Sequence, residues 1–170
     1  KNDFKTAENY YNEVLTINPN HFEANFLLGT VYAQSRKFEL AHQFLNKALK
    51  IQPTNINVYN NLGSVLKEMG KKETAMEYYK KVIQIDSSFI QAHNNLGILF
   101  MELGQYQKSI ECFERAIIIN PKYAAISNSF FLLLTWLAKD AGVACVIVEV
   151  AISPVCIPCF SAISTIVSSG

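Results

Sequence analysis

Apolar residues in the first 123 positions fall into short helical stripes. Leu96, Leu99, Phe100 and Leu103 stand at i, i+3, i+4 and i+7, one face of an α-helix. Gly104, a natural helix terminator, follows. A second stripe runs through Ile110, Phe113, Ala116 and Ile117 and stops at Asn120-Pro121. Proline lacks the amide hydrogen and disfavours helix in the residue before it. The pattern predicts a helix A, a short turn, a helix B and a second short turn.

The same pattern recurs with a period of 34 residues. Gly29, Gly63 and Gly97 share one column, each preceded by a leucine. Ala7, Ala41, Ala75 and Ser109 share another, as do Tyr11, Leu45, Tyr79 and Phe113, and Val14, Ala48, Val82 and Ala116. The segments Tyr59-Asn60-Asn61-Leu62-Gly63 and His93-Asn94-Asn95-Leu96-Gly97 are nearly identical. A glycine inside a helix costs about 1 kcal/mol relative to alanine. Its recurrence at one position therefore predicts close approach of helix B. Ala41, Ala75 and Ser109 are expected to supply the small side of that contact, with larger apolar residues filling the rest of the seam.

These columns resemble the tetratricopeptide repeat family. The resemblance rests on Leu-Gly, then Tyr32, Leu66 or Phe100, then Gly70 or Gly104, the small residue, the aromatic and the terminal proline (Pro19, Pro53 and Pro121). It covers residues 1–123 and predicts full repeats at 22–55, 56–89 and 90–123. Arg36 replaces the inter-helix glycine in the first, and Ser87 the terminal proline in the second. Residues 1–21 match helix B alone, a partial repeat. Its helix A is missing, so the chain is expected to begin inside a longer protein.

The fold class implied by the resemblance is an all-α, right-handed α-solenoid of antiparallel helix pairs, with helix A lining a concave groove. Its implied function is a protein–protein interaction scaffold that holds an extended peptide there. Helical spacing assigns Phe26, Leu27 and Thr30 to the groove face of the first repeat. Asn60, Asn61, Ser64 and Lys67 follow in the second, and Asn94, Asn95, Ile98 and Met101 in the third. An amide offers two donors and an acceptor oxygen, so stacked asparagines can grip a peptide backbone without reading side chains. Asn61 and Asn95 resemble the asparagine ladder of O-linked N-acetylglucosamine transferases, which makes the targeting region of such an enzyme one alternative function. Residues 22–35 and 90–103 contain no Lys or Arg. That argues against the carboxylate clamp of chaperone-docking members.

Composition divides the chain in two. Residues 1–123 carry 14 of the 15 Lys+Arg and 12 of the 14 Asp+Glu. Of the last 47 residues, 30 are apolar. The net charge of +1 argues against a nucleic-acid partner. His21, His42 and His93 lie in different repeats without metal-ligand spacing, and no Gly-rich phosphate loop is present. We read no enzyme, no metal and no cofactor. Cys156 and Cys159 have the spacing of a metal or redox half-site, but a structural zinc needs four ligands and no second pair exists. Sparse cysteine in 1–123 agrees with an intracellular, cytoplasmic setting.

Residues 124–140 resemble helix A of a fourth repeat, but Phe131 stands at the glycine position and the helix is apolar on every side. Residues 141–170 form an apolar tail long enough to enter a membrane. Glu149, Pro154 and Pro158 interrupt it, and no basic cluster flanks it. Three readings stay open for 124–170: a membrane segment tethering an adaptor, a helix that self-associates or hides against a partner, and a tail not selected for folding.

Overall fold

The computed structural model describes residues 4–120. Within them the chain forms α1 (Phe4–Ile17), α2 (Phe22–Gln34), α3 (Phe38–Ile51), α4 (Ile56–Glu68), α5 (Lys72–Ile85), α6 (Ile90–Glu102) and α7 (Tyr106–Ile119). The helix B of the partial repeat is α1. The A helices are α2, α4 and α6, and the B helices that follow them are α3, α5 and α7. The fourth helix A expected at 124–140, the apolar tail at 141–170 and the cysteine pair Cys156/Cys159 lie outside the described residues.

Each A-to-B turn closes in the same way. The N–H of Lys37, Lys71 and Gln105 reaches back to the carbonyl of Tyr32, Leu66 and Phe100, each at 2.9 Å. Arg36, Gly70 and Gly104 precede these donors and have positive φ of 59°, 77° and 70°. This is the Schellman arrangement, in which a left-handed residue lets the chain turn back on the helix end. The B-to-A turns are capped by side chains in two cases. His21 Nδ1 accepts from the Ala24 N–H at 3.2 Å. Asn55 Oδ1 accepts from Asn57 N–H at 3.1 Å and Val58 N–H at 3.3 Å.

Packing is local. Helices pair within a repeat as α2 with α3, α4 with α5 and α6 with α7, and each B helix then packs on the next A helix. The A helices also touch one another directly, α2 on α4 and α4 on α6. The A layer is therefore the tighter, inner one of residues 4–120. The seams bury Leu28, Leu45, Leu62, Tyr79, Leu99 and Phe113 almost completely.

The close approach of helix B at the glycines is present, and the atoms nearest an added methyl group belong to its large apolar residues. A methyl group on Gly29 would sit 2.8 Å from Leu45 Cγ, on Gly63 2.6 Å from Tyr79 Cε1, and on Gly97 2.8 Å from Phe113 Cε1. The glycine thus makes room for the large apolar column of helix B, Leu45, Tyr79 and Phe113. The small residue also meets the glycine in the third repeat, where Ser109 Oγ donates to the Gly97 carbonyl at 2.7 Å.

Candidate functional site

The A helices carry short polar side chains off the packing stripe, and these meet across repeats. Asn61 Nδ2 donates to Thr30 Oγ1 at 3.2 Å, tying α4 to α2. Asn95 Nδ2 donates to Asn60 Oδ1 at 2.9 Å, tying α6 to α4. Thr30 returns its own hydroxyl hydrogen to the Phe26 carbonyl at 2.9 Å. Ser64 donates to the Asn60 carbonyl at 3.2 Å and accepts from Tyr79 OH at 3.1 Å. Burial of the Tyr79 phenol pushes its pKa up to about 12, so it stays a neutral donor.

Each clip uses one donor of an amide and leaves others open. Asn61 and Asn95 each keep their carbonyl oxygen and one N–H, and Asn60 keeps both N–H groups. Asn94 is different, because its Oδ1 is buried without a partner among the described residues. Phe26 stacks on Phe22, with centroids 5.9 Å apart and planes 5° apart, and packs on the first core cluster. Ile98 is half-buried on α6.

Lys67, the only cation of the three A helices, is not free. Its Nζ lies 3.3 Å from Glu68 and 3.5 Å from Glu102, and Lys72 Nζ lies 3.2 Å from the other oxygen of Glu102. Two lysines and two glutamates cancel, so this edge of the groove presents no net charge.

One column carried no sequence signal that repeat arithmetic could weigh. Asn25, Tyr59 and His93 occupy equivalent positions on α2, α4 and α6. Asn25 Nδ2 donates to the Pro19 carbonyl at 3.0 Å, Tyr59 OH to the Pro53 carbonyl at 2.9 Å, and His93 Nε2 to the Ser87 carbonyl at 2.9 Å. Three unlike side chains thus make one bond, anchoring each inter-repeat turn. His93 is a structural donor here. Cys112 is half-buried, and burial together with Glu111 pushes its thiol up to about 11. Among the described residues, no three His, Cys, Asp or Glu side chains come together to hold a metal ion. No helix among them is long and apolar enough to cross a membrane.

Fold and site together define a solenoid of stacked helix pairs with a polar face on its inner helices, whose edge charges pair with one another. Models of the tetratricopeptide repeat match residues 1–64 and 90–123, and a TPR repeat model matches 63–104. The chain belongs to the tetratricopeptide repeat family, which makes it a protein–protein interaction scaffold. A crystal structure of MamA is similar over 86% of this chain and 84% of that one, at 26% identity and a TM-score of 0.71. A second MamA crystal structure is 26% identical with a TM-score of 0.69, covering 86% of this chain and 78% of that one. MamA 41-end from Desulfovibrio magneticus RS-1 shares the fold at 23% identity and a TM-score of 0.67, over 71% and 68% of the two chains. No curated protein matches the sequence.

Proposed function

We propose that the inner face of α2, α4 and α6 binds an extended, uncharged peptide segment. The observation that carries this reading is the pair of inter-repeat amide clips, Asn61 to Thr30 and Asn95 to Asn60. They hold the asparagines in fixed orientations on successive helices while leaving donors and acceptors open. A peptide backbone presents alternating N–H and C=O groups, the chemistry those open positions satisfy. Neutralisation of Lys67 by Glu68 and Glu102 favours a partner segment without a carboxylate anchor.

The test is capture of a partner from extract by residues 1–170, compared with the Asn61→Ala, Asn95→Ala double variant. Each open amide contact to a backbone contributes about 0.5–1.5 kcal/mol, so the double variant should bind roughly ten-fold more weakly with unchanged helicity. A partner held equally by both proteins refutes the amide grip.

A further inference from the structure

The B-helix side of the array has a second feature that the groove does not use. Three columns of the repeat build it: Phe44, Tyr78 and Cys112; Asn25, Tyr59 and His93; Lys47, Lys81 and Arg115. In the first repeat Lys47 Nζ lies 4.6 Å from the centroid of the Phe44 ring. In the second, Tyr59 and Tyr78 pair at 5.7 Å and 50°, and Lys81 Nζ lies 4.8 Å from the Tyr59 centroid. An aromatic ring under a cation is thus a built-in element of both repeats.

The third repeat keeps the cation and loses both tyrosine rings, with the His93 imidazole at one of the two places. Cys112 stands where the second repeat has Tyr78, and His93 where it has Tyr59. Arg115 has neither ring contact nor ion pair among the described residues. The space opened is a crevice of about 370 Å³ between α5, α6 and α7. Its apolar lining is Ile83, Leu96 and Cys112, and Arg115, Lys80 and Glu111 stand around it. The volume lies within the range of ordinary ligand pockets. It combines an apolar floor, a guanidinium able to stack on a ring face, and polar groups able to meet a hydroxyl.

We propose that this crevice receives the phenol ring of a tyrosine presented by a partner protein, at the place Tyr78 fills in the preceding repeat. The ring lies on Ile83, Leu96 and Cys112 with the Arg115 guanidinium over its face, and its hydroxyl meets Lys80 or Glu111 at the mouth. The site is independent of the amide face, since it is built from α5, α7 and the opposite side of α6.

The test is an NMR titration of the full chain with acetyl-Gly-Tyr-Gly-amide, with its leucine counterpart, and with p-cresol. The tyrosine peptide and p-cresol should give saturable shifts at Ile83, Leu96 and Cys112, and the leucine peptide none. Arg115→Gln should weaken the tyrosine peptide about 3- to 10-fold, the range of a partly desolvated cation–π contact. Cys112→Tyr should refill the crevice, abolish the shifts and raise Tm. Asn61→Ala with Asn95→Ala should leave the titration unchanged, which separates this site from the groove. Equal response to leucine and tyrosine, or no saturable shift at those three residues, overturns the proposal. Binding of p-cresol without the tyrosine peptide also overturns it, in favour of a free phenolic ligand. Should Cys112→Tyr fail to fold, the Arg115→Gln titration still decides.

Discussion

Arg36 sits with φ at 59°, where Gly70 and Gly104 hold the same turn at 77° and 70°. A side chain in this left-handed region costs about 1–2 kcal/mol. Glycine removes that cost but gives the unfolded chain more freedom, worth about 0.4–1 kcal/mol. The balance favours glycine, so Arg36→Gly should stabilise by about 0.5–1 kcal/mol and raise Tm by a few degrees. Gly70→Ala should do the reverse by a similar amount. Nothing lies within 4 Å of a methyl group on Gly70, so that loss would report backbone strain alone. Thermal unfolding of both variants checks the pair. An unchanged Tm for Arg36→Gly would mean that the turn stores no strain. The departure of Arg36 from the repeat pattern is visible in the sequence. Its backbone angle is not, because arginine elsewhere avoids that region.

Each helix pair depends on the contact between its mid-helix glycine and the large residue opposite. Alanine is the better helix former by about 1 kcal/mol, so propensity alone predicts that Gly63→Ala stabilises α4. Packing opposes it. The new methyl group would lie 2.6 Å from Tyr79 Cε1, and that ring is 1% exposed and bonded to Ser64. Overfilling a tight seam costs about 1–3 kcal/mol, so Gly63→Ala should lose about 1 kcal/mol overall. The loss should shrink in a Tyr79→Ala background, and a double-mutant cycle in chemical denaturation measures this coupling. Strict additivity would show that the ring does not set the seam. The glycine column reads directly from the sequence as a point of close approach. Its partner does not, because the direction of the missing Cα–Cβ bond selects between Ala75 and Tyr79. The amide clips are hidden for a related reason. Thr30 and Asn61 are 31 residues apart and Asn60 and Asn95 are 35 apart, so neither pair falls on the 34-residue period.

Across residues 4–120, stability is a chain of neighbouring seams, and its two kinds of helix B differ sharply. In α3, α5 and α7 the column residues are buried, whereas α1 buries none. Glu8 supplies a polar tie from α1, accepting from Tyr32 OH at 2.9 Å and pairing with Lys37 at 3.2 Å. The Tyr32 hydroxyl first, and Lys37 second, hold the Glu8 carboxyl below its ordinary value of 4.5. A carboxylate whose pKa is lowered by folding stabilises fully above the unfolded value, and that stability is lost as pH falls through the folded one. Acidification below 4.5 should therefore release α1 before the inner repeats. Asp86, lowered by its bonds to Ser88 in the turn before α6, has the same sign but acts at a different junction. Hydrogen exchange, corrected for the intrinsic pH dependence, should show α1 amides losing protection while those of α4 and α5 keep it. Glu8→Gln should leave α1 weakly protected at neutral pH and remove its acid response. Simultaneous loss in α1 and α4, or an unaltered acid response in Glu8→Gln, would show that the array opens as one unit. Nearest-neighbour stacking predicts stepwise opening instead, with α1, which buries least among the described helices, going first.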